Sequence, residues 1–195
     1  MLAFRFVLLL VFLCLCGEMS PTAQAQTAPK TEPFGFDQSR RRNVRIPIQL
    51  HRNLLVVKAK VNGTGPYNFL LDSGVGISIM TASTLADSLG LKHGQQFRVV
   101  GAGGLDSGLL AYQTDSVRVT MPGVVAPHMT WLVLSEDVLN LSGYVGVPIH
   151  GIMGSELFRS FVVTLRPQLE YQLLSDPATY RTPKGKVSPS IPLTL

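Results

Sequence analysis

Cysteine is almost absent from this chain of 195 residues. Both cysteines, Cys14 and Cys16, lie in the apolar leader, so no thiol remains beyond it. This absence excludes disulfides, a cysteine nucleophile and cysteine-based metal sites from the rest of the chain. Lipid attachment at Cys16 is disfavoured as well, because Leu15 is bulky where lipoprotein signals use a small residue.

Charged residues are also scarce, at 15% of the chain against 46% hydrophobic residues. The formal net charge is +5, and the basic excess is concentrated in the three arginines at 40–42 and in Arg45. A basic run of this kind is usually a solvated surface. No aromatic residues interleave with it and no basic groove pattern follows it, so the sequence predicts no nucleic-acid partner.

The leader has the three zones of a secretory signal peptide. Arg5 precedes an apolar run at residues 6–13, and small residues follow at 23–25. The apolar run is shorter than the roughly 20 residues that a membrane-spanning helix needs. The pattern therefore predicts a signal peptide over residues 1–25 and export to the periplasm or the cell exterior, with no stable membrane span after cleavage. An uncleaved N-terminal anchor is the alternative.

The length suffices for one ordinary domain and is too short for two well-filled ones. Residues 26–43 are rich in Pro, Thr, Gln and Arg without periodicity, which predicts a disordered linker. The predicted domain covers residues 44–176. Residues 177–195 are interpreted as a C-terminal linker with the possible start of a second lobe.

From residue 44 onward, short apolar segments alternate with Gly, Pro, Asn and Asp. Asn62-Gly63 is a strong hairpin signal. Many short strands at regular spacing predict a small β-barrel or sandwich with one or two short helices. The predicted strands are 45–50, 54–61, 67–71, 77–80, 97–100, 109–112, 116–121, 130–134, 162–165 and 171–174, and the predicted helices are 81–89 and 155–161.

One acidic residue stands where burial would be costly. Asp72 directly follows the apolar segment 69–71, and a buried carboxylate without hydrogen bonds is strongly unfavourable there. Ser73 supplies a hydroxyl group, Gly74 allows a sharp turn, and the apolar pattern resumes at Ile77. This placement favours a chemical role for Asp72. A turn aspartate in a plain β domain is the alternative.

This segment resembles the catalytic turn of the retropepsin-like aspartic proteases, in which an apolar strand precedes Asp-Thr/Ser-Gly and a second apolar run follows. Residues 149–154 and the predicted helix after them are similar to the family's apolar-apolar-Gly strand and helix, which buttress that turn. The resemblance covers about residues 44–174 and is closest to bacterial exported members, some of which have two lobes. It implies a mainly β, retropepsin-like acid-protease barrel lobe.

The resemblance also implies a function, that of an aspartic endopeptidase acting on peptide or protein substrates. Asp72 would supply a catalytic carboxylate, and Ser73 and Gly74 would shape the active-site turn. Val75 and Gly76 depart from the small and polar residues that are usual after the turn. No metal or organic cofactor is implied. The flap over the substrate would include four consecutive residues, Gly101, Ala102, Gly103 and Gly104.

The chemistry requires a second carboxylate, because one must be ionised to take a proton from water while the other is protonated to polarise the carbonyl group. The partner of Asp72 would be Asp72 of a second chain, or an aspartate of a second lobe. Residues 190–195 repeat the Ile-Pro-aliphatic-polar-Leu pattern of residues 45–50. This repeat favours a second lobe. The other tripeptide of this type, Asp106-Ser107-Gly108, follows glycines rather than a strand and is interpreted as a turn.

A catalytically silent binding or assembly module on the same fold is the alternative function. Cleavage of unfolded protein at mildly acidic pH would separate the two hypotheses.

The four histidines have no metal-ligand spacing, and Trp131 is expected in the core.

Overall fold

A computed structural model describes residues 34–99 and 109–182. This part of the chain is mainly β, as predicted, with eleven strands, three short α-helices and one 3-10 turn. The strands are β1 Gly35–Phe36, β2 Asn43–His51, β3 Leu54–Val61, β4 Thr64–Leu71, β5 Ile79–Met80, β6 Gln96–Val99, β7 Leu109–Met121, β8 Val124–Leu134, β9 Gly151–Met153, β10 Val162–Arg166 and β11 Tyr171–Ser175. The helices are α1 Ser83–Ser88, α2 Leu141–Val145 and α3 Glu156–Ser160, and the 3-10 turn is Pro167–Leu169.

The strands form one continuous sheet that closes on itself. Their hydrogen-bonded order is β10-β11-β2-β3-β4-β9-β5-β8-β7-β6, and an additional pairing joins β3 to β7. The six strands from β3 through β4, β9, β5, β8 and β7 therefore form a barrel, while β2, β11 and β10 extend the sheet outward from β3. The predicted β3–β4 hairpin is present, and both Asn62 and Gly63 have the positive φ values that its tight turn requires.

One strand crosses between the two strands that flank the Asp72 turn. β9 pairs in parallel with β4 and antiparallel with β5. The backbones approach so closely at this crossing that a Cβ atom on Gly151 would overlap the carbonyl oxygen of Ile79. Residues 149–154 thus pass beside the Asp72 turn, as the sequence resemblance implies.

The core fills the barrel and continues beneath α2. Trp131 is fully buried, as expected, and its ring meets Phe69 edge-on with 5.2 Å between the ring centroids. A smaller cluster on the other side of β3 and β4 includes Val56, Leu70 and Val145. The sequence does not predict α2, because five residues are too few to show helical periodicity. This helix shields part of the outer face of the sheet.

The predicted linker is wrong at its C-terminal end. Phe34 is only 4% exposed, and its backbone N–H donates a hydrogen bond to Ser160 Oγ. The ring of Phe36 packs 4.9 Å from that of Phe161, and β1 pairs with β8. Two phenylalanines in a polar segment bury enough apolar surface to offset the entropy of ordering it. The folded domain therefore begins by residue 34 rather than 44.

Another prediction is corrected in β7. The predicted strands 109–112 and 116–121 are one strand with register shifts after Thr114 and Val117. Ser116 has a φ of +61° at this irregularity. The strand therefore continues through the polar residues 113–116, which resemble a turn in the sequence.

Several predictions lie outside the described residues. These are the signal peptide, most of the linker, the four flap residues from Gly101 to Gly104, the second Asp-Ser-Gly tripeptide and the repeat at 190–195, and they stay predictions. Within residues 34–99 and 109–182, no helix is long and apolar enough to cross a membrane.

Replacement of Phe34 by Ala should lower the free energy of unfolding by about 3 kcal/mol, because it removes a buried aromatic ring. Urea denaturation of the purified chain measures this change. The matched control is Phe97→Ala, since the Phe97 side chain is 37% exposed and should contribute far less. Equal losses in the two variants would show that residues 34–36 are not part of the folded domain.

Candidate active site

Asp72 stands at the end of β4, where the chain turns away from the sheet. Its backbone N–H donates a 3.0 Å hydrogen bond to the carbonyl oxygen of Met153 on β9. Its side chain is exposed, and Oδ1 accepts a 2.8 Å hydrogen bond from the backbone N–H of Gly74. A Cβ atom on Gly74 would lie 3.2 Å from this oxygen, so the absent side chain leaves room for it. The turn thus orients the carboxylate, and Oδ2 has no hydrogen bond to any residue that the structure describes.

Ser73 is exposed beside Asp72. Its hydroxyl group makes no hydrogen bond to any of the residues that the structure describes. The predicted turn residues Ser73 and Gly74 are therefore both next to the carboxylate, but only Gly74 contacts it directly.

A buried carboxylate fixes the far end of the turn, and the sequence analysis missed it. Glu156, at the start of α3, is 8% exposed and accepts two hydrogen bonds from Ser78. One comes from the backbone N–H at 2.8 Å and the other from the hydroxyl group at 3.0 Å. The Ser78 hydroxyl oxygen in turn accepts the N–H of Gly154 at 3.0 Å. These three bonds satisfy polar groups in a buried position and join the Asp72 turn to β9 and α3.

Two further contacts hold the middle of the turn. The N–H of Ser155 donates to the carbonyl oxygen of Val75 at 2.7 Å. Arg159 donates to the carbonyl oxygen of Gly76 at 3.2 Å and also to the Ser155 hydroxyl. Gly154 permits this approach, since a Cβ atom there would lie 2.6 Å from the Val75 carbonyl oxygen. The turn that begins at Asp72 is thereby held along its length by one short segment.

The only sequence signal for Glu156 is an acidic residue within the otherwise apolar and small-residue stretch from Gly151 to Phe158. An acid in such a context is costly unless it is hydrogen-bonded. Its partner, Ser78, is 78 residues away, so the sequence alone does not indicate which group satisfies it.

His150 supports the strand crossing rather than the carboxylate. Its Nδ1 accepts a 3.2 Å hydrogen bond from the N–H of Asn68, and its ring packs 5.1 Å from that of Tyr67. The proton is consequently assigned to Nε2, because Nδ1 is the acceptor.

The base of the predicted flap is a hairpin of β6 and β7, which pair from Gln96 to Val99. Tyr112 in β7 stacks on His93 with 3.7 Å between ring centroids. Burial, and to a lesser degree the Asp87 carboxylate, raises the pKa of Tyr112 above its usual value. Tyr112 is therefore a neutral phenol at the pH values at which carboxylates titrate.

In the part of the chain that the structure describes, no three His, Asp or Glu side chains are grouped so that they could hold a metal ion. The chemistry that the site offers is that of an oriented, solvent-facing carboxylate at the end of a strand.

The chain is similar to known proteins over part of its length. A family model described as aspartyl protease matches residues 57–157, which is 101 of the 195 residues and includes both Asp72 and Glu156. No curated protein matches the chain. A matching solved structure is the retroviral EIAV protease complexed with the inhibitor HBY-793. It is 22% identical, and the match covers 53% of this chain and 84% of that one with a TM-score of 0.36.

Replacement of Glu156 by Gln should lower the free energy of unfolding by about 2 kcal/mol, because an amide cannot accept both hydrogen bonds from Ser78. Denaturant unfolding at pH 7 checks this value. Glu136→Gln, at an exposed position, is the matched control and should change little.

The double variant Glu156→Gln with Ser78→Ala completes the test, because the two losses should not add if the residues interact. Additive losses would contradict the hydrogen-bonded pair.

Proposed function

The chain belongs to the aspartyl protease family, and we propose that it is one lobe of an aspartic endopeptidase with Asp72 as a catalytic carboxylate. The observation that carries the proposal is how the hydrogen bonds and the solvent exposure of Asp72 combine. Its backbone is held by Met153, one carboxylate oxygen is oriented by Gly74, and the side chain is open to solvent.

The proposed mechanism is peptide hydrolysis by a water molecule held between two carboxylates. The ionised carboxylate removes a proton from the water as it attacks the carbonyl carbon. The protonated one donates a hydrogen bond to the carbonyl oxygen, where negative charge develops. Two carboxylates that share one proton titrate as a pair, so each role belongs to the dyad and not to one residue. Asp72 alone cannot fill both roles.

The second carboxylate is proposed to come from a partner, either a second lobe or a second copy of the chain. Within the part of the chain that the structure describes, no other aspartate forms a hydrogen bond with Asp72, and each one pairs elsewhere. The pairs are Asp37 with Arg41, Asp87 with His93, Asp115 with Thr130, Asp137 with the N–H of Asn140, and Asp176 with the N–H of Ala178.

Replacement of Asp72 by Asn should lower kcat/KM for an unfolded protein substrate by about a thousandfold or more, because the dyad loses its proton-accepting oxygen. The assay is run at mildly acidic pH. The melting temperature should be nearly unchanged, since the change is isosteric and Oδ1 can still accept from Gly74.

Asp106→Asn is the matched control, because Asp106 begins an identical tripeptide. Equal losses in both variants, or a loss at Asp106 alone, would refute the assignment. If the folded chain shows no peptidase activity either as a monomer or as an oligomer, that result would favour the catalytically silent binding module.

The specific activity of the purified chain should rise with its concentration if two copies share the dyad. Sedimentation and peptidase assays over the same dilution series measure this dependence. Addition of the Asp72→Asn chain should then inhibit the unmodified chain by forming mixed dimers. Full specific activity from a strict monomer would contradict the proposed mechanism.

A further inference from the structure

A groove on the outer face of the sheet lies apart from the Asp72 turn. Its volume is about 510 Å³, within the range of small-molecule sites, and it is lined by residues of β2, β3, the start of β4 and the end of β7. Lys58 in this groove pairs with Asn68, four residues before Asp72, which corresponds to about 13 Å along the strand. Lys60 lies farther away still.

The groove is apolar over most of its lining. Among the residues that line it, Gln49 and Thr120 are polar, and the only charged ones are Lys58 and Lys60. None is acidic. The apolar lining comes from six residues, Ile46, Pro47, Val56, Pro66, Met121 and Pro122.

The two lysines lie on the same face of β3, because they are two residues apart on one strand. Both side chains are exposed. Neither lysine forms a salt bridge with any residue in 34–99 or 109–182. Two ammonium groups therefore stand beside an apolar trough without a counter-charge from the described part of the chain, which is an arrangement complementary to an anion with an apolar body.

We propose that this groove binds a long-chain fatty acid. The carboxylate would lie between Lys58 and Lys60, and the alkyl chain would follow the proline-lined trough. Each ammonium group can donate hydrogen bonds to a carboxylate, and such charge-assisted bonds are stronger than neutral ones.

The test is titration of the full chain with dodecanoate, followed by calorimetry below the micellar concentration. Dodecanol has the same chain length and no charge, so it measures the apolar contribution alone. One dodecanoate should bind per chain, at least about tenfold more tightly than dodecanol, a ratio of the size expected for one or two charge-assisted contacts. Equal affinity for the two ligands, or no saturable binding, would overturn the proposal.

Charge-reversal variants locate the site. Lys58→Glu and Lys60→Glu should each weaken dodecanoate binding by about tenfold or more while dodecanol binding changes little. Lys92→Glu is the matched control, because Lys92 is exposed and lies outside the groove, and it should bind as the unmodified chain does. Equal weakening in all three variants would refute a specific site.

Two further measurements distinguish other occupants. An acidic peptide that displaces dodecanoate at lower concentration would assign the groove to a protein partner. A dimer that dissociates on Lys58→Glu substitution, without any fatty acid, would assign it to a second copy of the chain. The Asp72→Asn variant should bind dodecanoate normally, so this result does not depend on peptidase activity.

Discussion

Two hydrogen bonds from Ser78 to the buried carboxylate of Glu156 tie the Asp72 turn to the helix that follows β9. A carboxylate in a buried position is stable only when it is fully hydrogen-bonded, and each bond here also fixes the position of the turn. Asp72 itself has a single side-chain hydrogen bond, to Gly74, and is exposed. The turn that carries Asp72 is thus held rigid by a neighbouring carboxylate that does not face solvent.

The crossing of β9 makes this arrangement possible. β9 lies between β4 and β5. This position brings Ser78, just before β5, next to Glu156 at the start of α3, although the two residues are far apart in the sequence. Glycine at 151 and 154 allows backbones to approach where any side chain would overlap a carbonyl oxygen. The same crossing completes the barrel, so the stability of the domain and the geometry of the turn have a common origin.

The sequence predicts local features well and distant partners poorly. The hairpin at Asn62-Gly63 and the turn at Asp72 are visible because their signals lie within a few residues. Glu156 is not predicted, because its partner is separated from it by half the domain. The short helix α2 has too few residues for a periodic pattern. The segment at Phe34 resembles a linker because its composition is polar, and only its contacts with Ser160 and β8 show that it is folded.

The burial of Phe34 also limits how far the folded domain can lie from the predicted signal peptide. Eight residues, 26–33, lie between the predicted end of the signal peptide and Phe34, where the described residues begin, and a chain of that size reaches at most about 28 Å when fully extended. That distance is close to the hydrocarbon thickness of a bilayer, about 30 Å. A leader that stayed in the membrane would hold the barrel against the membrane surface, within reach only of polypeptides that emerge there. Removal of the leader would instead let the domain diffuse through its compartment.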